Sequence, residues 1–296
     1  MLCDWGSSRL RAYLQVGDEV VARCEGPGIG ALTAAATAVL RETLRPWREG
    51  AGYDQIVACG MVGSRNGIVE VPYVQAPTGL AEWASHALAR GAEDVPLLIA
   101  AGIRGVNAAG VPDVMRGEET QVFGAVARDA ALASGQHTLL LPGTHSKWVQ
   151  IIEGEIATVQ TYVTGELFAV LRDHSSLLRA GDSGEPPGDG FAAGLARSRL
   201  SGLADSLFET RAAQLTLARP RAWASEFLSG LLIGDEVASA LRARPVTSVV
   251  LVGEGTLTAR YREALVAHGA AAVCLDGDRC VVAGLRLLAA HHGRAH

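Results

Sequence analysis

Five short stretches combine glycines with hydroxyl or ionisable side chains at spacings that could do chemistry. They are "DWGSS" (Asp4–Ser8), "GMVGSR" (Gly60–Arg65), "MRGEET" (Met115–Thr120), "LPGTHSK" (Leu141–Lys147) and "LVGEG" (Leu251–Gly255). In the first, Gly6 removes the side chain where a phosphate would approach backbone N–H groups. Ser7 and Ser8 add hydroxyl and amide donors, and Asp4 offers a hard oxygen to the hydrated Mg²⁺ that accompanies a nucleoside triphosphate. A plain β-hairpin could use the same residues, and this stretch alone leaves both readings open.

"LPGTHSK" repeats the logic: an apolar strand, then Gly143, Thr144 and Ser146, then Lys147 on the returning strand. Lys147 either adds charge against phosphates or is a solvated surface lysine, and His145 reads as a turn residue rather than a base. In "LVGEG", Gly253 and Gly255 form a turn between an apolar strand and a helix, at the strand end where open α/β sheets bind ligands. A G-x-x-x-x-G-K-[ST] loop does not occur, so this is not a P-loop.

The elements that must position these stretches follow from periodicity. Alternation marks strands at "RAYLQV" and "EVVARC", and apolar residues at helical spacing mark "TAAATAVLRETLRPW". "QIVACG" is a buried-type strand, "LAEWASHALARG" reads as a helix ending at Gly91, and "VPLLIAAG" is a strand. "GEETQVFGAVARDAAL" is a helix with acidic residues in its first turn, as the helix dipole favours. The pattern then restarts, with strands at "HTLLLPG", "KWVQIIEG" and "EIATVQTYV". Helices follow at "GELFAVLRD", across 191–217 and at "WASEFLSGLLIGDEVASALRA", and the Gly/Pro-rich "RAGDSGEPPGDG" is a loop. A strand, helix, strand and helix close the chain at "VTSVVLVGEG", "LTARYREALVAHG", "AAVCLD" and "CVVAGLRLLAAHH". Two halves that each open strand–turn–strand and continue with alternating helices and strands indicate a duplicated α/β fold. The boundary is expected in "ALASGQ", giving domains 1–132 and 133–296.

Composition excludes several classes. The chain has 296 residues, 49% hydrophobic and 19% charged, an ordinary globular balance with a formal net charge of -5. With no long basic run, nucleic acid is not expected as a partner. Five scattered cysteines, Cys3, Cys24, Cys59, Cys274 and Cys280, form no C-x-x-C pair and read as reduced, mostly buried thiols. The sequence contains no charged-then-apolar leader and no apolar run of membrane-spanning length, so a cytoplasmic protein without a membrane partner is expected.

The layout is similar to the actin–hexokinase–sugar kinase superfamily. Within it, the chain resembles the 2-dehydro-3-deoxygalactonokinase family over nearly its whole length. The residues that carry the resemblance are "DWGSSRLRAYL", "GMVGSRNGIVEVPYV", "DVMRGEETQVFG", "LPGTHSKWV", "VTGELFAVL", "FLSGLLIGDEVA" and "LTARY". The resemblance implies two ribonuclease H-like (actin-like ATPase) domains with an ATP/substrate cleft between them. The first would hold the substrate and first phosphate turn, the second the other phosphate turn and the adenosine site. It implies phosphoryl transfer from ATP, with Mg²⁺, to the 6-hydroxyl of 2-dehydro-3-deoxy-D-galactonate, whose product goes on to aldolase cleavage in galactonate breakdown. Only Met1 and Leu2 precede Cys3, so the first strand is shorter than such a fold normally has; a start placed too late, or a trimmed edge, would explain it.

Such a transfer needs in-line positioning, charge neutralisation and a group that accepts the hydroxyl proton. Glu118 and Glu119 begin a helix, and successive helix residues point about 100° apart, so only one should face the substrate. More distant sugar kinases carry Gly-Asp-Gln at a similar helix start; Gly117-Glu118 falls on that Gly-Asp, with Glu119 the alternative. Arg116 would clamp a carboxylate or phosphoryl group, or pair with Glu119. Met61, Gly63, Ser64 and Arg65 supply close backbone approach and polar reach for a 2-keto acid, and Thr164 and Glu166 in "TYVTGELF" are expected at the same pocket. A kinase for the gluconate epimer, an exopolyphosphatase-type hydrolase and a non-catalytic actin-like nucleotide-binding protein are the rival readings. A homodimer is the default expectation.

Overall fold

The computed structural model describes residues 1–50, 52–92, 95–179, 186–200 and 202–293. The chain begins with β1 (Leu2–Trp5), β2 (Arg9–Val16), β3 (Glu19–Pro27), α1 (Ala36–Glu49) and β4 (Ile56–Gly60). Next come β5 (Val74–Gln75), α2 (Leu80–Ser85), β6 (Leu88–Ala92), β7 (Val95–Ile99), β8 (Ile103–Val106), β9 (Pro112–Met115) and α3 (Glu118–Arg128). β4 reads Ile-Val-Ala-Cys-Gly and is buried at every residue, because a central parallel strand is covered on both faces. In α1 the buried residues Ala36, Leu40 and Leu44 recur every four positions, the stripe of a helix laid on a sheet.

The second half contains β10 (Gln136–Leu141), β11 (Ser146–Ile152), β12 (Glu155–Tyr162), α4 (Thr164–His174), α5 (Gly190–Ser198), α6 (Leu203–Ser206) and α7 (Glu209–Thr216). It closes with α8 (Arg221–Ala243), β13 (Ser248–Val252), α9 (Gly255–Ala267), β14 (Ala271–Leu275) and α10 (Gly277–Gly293). The two large sheets run β3-β2-β1-β4-β7-β6 and β12-β11-β10-β13-β14. Apart from the added edge strand β6, both therefore follow the order third-second-first-fourth-fifth. The duplication expected from the sequence is present in the topology.

By packing the chain forms two compact units, Met1–His137 with Val149–Gln160 and Leu275–His296, and Thr138–Trp148 with Thr161–Cys274. A single division at 132/133 cuts the chain into two consecutive pieces, whereas here the last helix groups with the first unit. The reason is a close helix crossing: a side chain at Gly124 of α3 would sit 1.8 Å from the Cys280 carbonyl, and one at Gly284 of α10 would sit 2.0 Å from that of Thr120. Only glycine lets the two backbones approach so closely.

Two local expectations are corrected. "LAEWASHALARG" is helical only to Ser85, and Leu88–Ala92 is the edge strand β6, antiparallel to β7 with Leu88 opposite Ile99. The sheet edge overrides the helical spacing. The three-stranded sheet β5-β8-β9 was not expected, its strands being two to four residues long. Positions 180–185 of the expected loop "RAGDSGEPPGDG" lie outside the described residues. All five cysteines are free thiols, with Cys3, Cys59 and Cys280 buried, Cys24 half-buried and Cys274 exposed. Among the described residues no helix is long and apolar enough to cross a membrane.

Candidate functional site

In the first unit, β1 and β4 run parallel, with Asp4 opposite Cys59 and Trp5 opposite Gly60. Their carboxyl ends therefore deliver the Gly6–Ser8 turn and the Gly60–Arg65 loop side by side. Gly6 N–H bonds the Arg9 carbonyl at 2.9 Å, and the Gly30 N–H bonds the Ser7 carbonyl at 3.0 Å. Ser7 and Ser8 are exposed. A side chain at Gly6 would meet the Arg9 carbonyl at an ordinary 3.6 Å, so the fold itself does not demand glycine there.

Gly60 has φ +89°, and a side chain on it would lie 2.6 Å from the Trp5 carbonyl; one on Gly117 (φ +116°) would lie 3.1 Å from Gly60 Cα. This stacking of three backbones brings the start of α3 onto the ends of β1 and β4. Met61, Ser64 and the chain around them follow as a 3-10 turn, with Ser64 Oγ donating to the Met61 carbonyl at 2.7 Å. Gly63 is buried. Arg65 is 85% exposed and lies 3.7 Å from Glu70.

The Asp4 carboxylate receives Arg11 Nη2 at 2.5 Å on Oδ2 and the Cys59 thiol at 3.7 Å on Oδ1. Arg11 is shared with Asp278 of α10 at 2.8 Å. Among the described residues no group of three or more His, Cys, Asp or Glu could hold a metal ion. A single carboxylate nevertheless fits Mg²⁺, which keeps several waters and is commonly held by one or two carboxylates and substrate phosphates.

The two glutamates of α3 differ sharply. Glu119 is fully buried and accepts the Gly117 N–H on both carboxylate oxygens, at 2.9 and 2.7 Å, so it caps its own helix. Burial first, and the neighbouring Glu118 second, push its carboxyl up to about 8. Glu118 is half-buried and accepts the Arg116 N–H at 3.0 Å. The Arg116 side chain donates through Nη2 to the Val71 carbonyl at 2.8 Å and stacks 4.1 Å over the Tyr73 ring. Its Nε and Nη1 are buried without a hydrogen-bond partner. Among the described residues it makes no hydrogen bond to Glu119, although its charge acts to lower the pKa of that carboxyl.

In the second unit, β10 and β13 are also parallel, with Leu140 opposite Leu251. The Gly143–His145 turn and the Gly253–Gly255 turn thus emerge together, and a side chain at Gly253 would come within 3.8 Å of Pro142. Thr144 is exposed, and its carbonyl accepts the Glu166 N–H at 2.9 Å. His145 bonds Glu166 through Nε2, which agrees with a turn role. Lys147 is not a surface lysine: it is buried on β11 and donates to Thr161 Oγ1 at 2.8 Å. Gly255, with φ +67°, opens α9. Thr164 is buried, beside the carboxylate of Glu236 in the same unit.

The first unit therefore assembles Asp4, Gly6, Ser7, Ser8, Met61, Gly63, Ser64, Arg65, Arg116, Glu118 and Glu119. The second assembles Gly143, Thr144, Lys147, Thr164, Gly253 and Gly255. Sequence reading missed Gly165, which supports the second turn: a side chain there would lie 2.4 Å from the Gly143 carbonyl. It sits in the quoted "VTGELF", but only the packing shows why it is glycine.

Residues 4–288 match the 2-keto-3-deoxy-galactonokinase family. The chain is 37% identical over 290 residues to the 2-dehydro-3-deoxygalactonokinase of Escherichia coli (strain K12), covering 97% of this chain and 96% of that one. It superposes on the crystal structure of a candidate 2-dehydro-3-deoxygalactonokinase from Sinorhizobium meliloti, with TM-score 0.85 and 35% identity over 97% of each chain. The Acidaminococcus fermentans (R)-2-hydroxyglutaryl-CoA dehydratase component A, 15% identical with TM-score 0.53 over 99% of this chain and 98% of that one, shares the fold alone. With its two sheets of one strand order and a family match running from Asp4 almost to the end of α10, the chain belongs to the 2-keto-3-deoxy-galactonokinase family.

Proposed function

We propose that the protein is an ATP- and Mg²⁺-dependent kinase that phosphorylates the 6-hydroxyl of 2-dehydro-3-deoxy-D-galactonate. The family match over residues 4–288 carries this reading, and the paired glycine turns give it chemical means. The expected domains divide the labour: 1–132 serves the sugar acid and the first phosphate turn, 133–296 the second phosphate turn and the adenosine.

Bound Mg²⁺ would neutralise phosphate charge, with Asp4 as its protein anchor through water. The backbone amides of Gly6–Ser8, Gly143–Thr144 and Gly253–Gly255 would orient the phosphates. Arg116 presents two unpartnered donors beside the Gly63–Ser64 loop, suited to a carboxylate or phosphoryl oxygen. Glu118 is the base: as the O6–Pγ bond forms and the bond from Pγ to the bridging oxygen of ADP breaks, the O6 proton passes to its carboxylate. Glu119 is unsuited to that role, since a carboxyl titrating near 8 is mostly protonated at neutral pH. Its place is to hold the helix start.

An assay of ADP release over a panel of 2-keto-3-deoxy sugar acids tests the proposal. ADP formation that requires the galactonate-derived acid and yields its 6-phosphate is the expected result. A preference for the gluconate epimer would revise the substrate, and polyphosphate hydrolysis without acid would replace the reaction.

A further inference from the structure

Glu236 is a buried carboxylate that the proposed chemistry does not use. It lies on α8, 2% exposed, and accepts hydrogen bonds from two other elements. Trp148 Nε1 of β11 donates to Oε1 at 2.8 Å and the Tyr261 hydroxyl of α9 to Oε2 at 2.5 Å. Ser146 Oγ in turn donates to the Tyr261 hydroxyl at 2.8 Å, and the Thr164 hydroxyl lies beside the carboxylate. Ser146, Trp148, Thr164 and Tyr261 are themselves buried.

The residues around this carboxylate sit next to proposed nucleotide contacts. Ser146 directly follows the Gly143–His145 turn. Thr164 begins α4, whose Gly165 packs under Gly143 and whose Glu166 N–H holds the Thr144 carbonyl. Tyr261 lies on α9, the helix opened by Gly255, and Thr258 of that helix bonds the Glu254 carbonyl at 3.1 Å. A buried carboxylate is costly to place unless its hydrogen bonds are made. A core of apolar side chains would hold these elements without demanding one geometry. We infer that Glu236 is a positioning residue: through Trp148, Tyr261 and the Ser146 hydroxyl bonded to Tyr261, it fixes the Gly143–His145 and Gly253–Gly255 turns relative to each other for nucleotide phosphate binding. This rests on the proposed kinase reading.

The chemistry of the donors makes Glu236→Gln informative. Trp148 can only donate, so the amide oxygen must face it. The amide nitrogen then faces Tyr261, whose hydroxyl can accept but must give up its present bond. Volume is kept while the network changes. Titration of ATP–Mg²⁺ into the isolated protein, followed by calorimetry, measures the effect without any turnover.

Glu236→Gln is expected to weaken ATP binding about tenfold or more, the scale of one disrupted buried hydrogen bond, and to raise the KM for ATP alike. The KM for the sugar acid should stay unchanged. Tyr261→Phe should act in the same direction and less strongly. Leu228→Ala, in the separate apolar cluster with Leu177 and Trp223, serves as control: it should lower the melting temperature and leave ATP affinity alone. Unchanged ATP affinity in Glu236→Gln, or an equal loss in Leu228→Ala, would overturn the inference. Failure of the wild type to bind ATP would instead refute the kinase reading on which it rests.

Discussion

Replacing Glu119 by glutamine should make the protein more stable at high pH relative to the wild type, and should leave turnover largely intact. The folded carboxyl titrates near 8 instead of its ordinary 4.5. A carboxyl raised in the folded state keeps a proton that the unfolded chain has lost, so its contribution to stability is fully present below pH 4.5 and is lost as pH rises towards 8. Each pH unit in that window is about 1.4 kcal/mol, which bounds the whole loss at about 5 kcal/mol. Glutamine carries no proton to lose and can keep one acceptor on the Gly117 N–H. Other titrating groups are common to both proteins and cancel in the comparison. Denaturant unfolding at pH 5.5, 6.5, 7.5 and 8 should therefore show Glu119→Gln gaining about 2 to 3 kcal/mol on the wild type across the series. In the same preparations Glu118→Gln should lower kcat by about 10²- to 10⁴-fold, against less than tenfold for Glu119→Gln. A pH-independent stability difference would refute the buried, protonated Glu119, and a larger kcat loss in Glu119→Gln would transfer the base to it.

Gly6→Val should abolish turnover with little change in melting temperature, because the β-carbon has ordinary room against the Arg9 carbonyl; wild-type activity would remove the phosphate-turn reading. Arg116→Lys keeps the charge but loses the planar fork over Tyr73, so the KM for the sugar acid should rise about tenfold while that for ATP holds, and an unchanged pair of constants would take Arg116 out of the substrate site. Gly124→Ala should destabilise the protein by about 1 to 3 kcal/mol or more, since its β-carbon would collide with the Cys280 carbonyl; an unaltered melting curve would contradict the α3–α10 crossing.

Much of this arrangement could be read locally. The Gly6–Ser8 and Gly143–His145 turns stand between strand-like runs, and the parallel strands "QIVACG" and "VTSVVLVGEG" are apolar enough to be recognised as central. What stayed hidden depends on contacts distant in sequence. Leu88–Ala92 has helical spacing, yet pairing with Val95–Ile99 makes it a strand. Lys147 looks like a solvated residue until β11 is seen buried on both faces from Ser146 to Ile151. Glu118 and Glu119 are adjacent and alike in type; only the fold shows that Glu119 is fully buried and Glu118 half-buried. Glu236 stands in a helix among apolar residues, and nothing local marks it as the acceptor for Trp148 and Tyr261.

The central claim is tested most directly by measuring ADP release from ATP–Mg²⁺ with and without 2-dehydro-3-deoxy-D-galactonate, and identifying the product. The account requires ADP formation that depends on the acid, with one 6-phosphorylated product per ADP. ATP hydrolysis at the same rate without the acid, or no ADP at all in its presence, would contradict it.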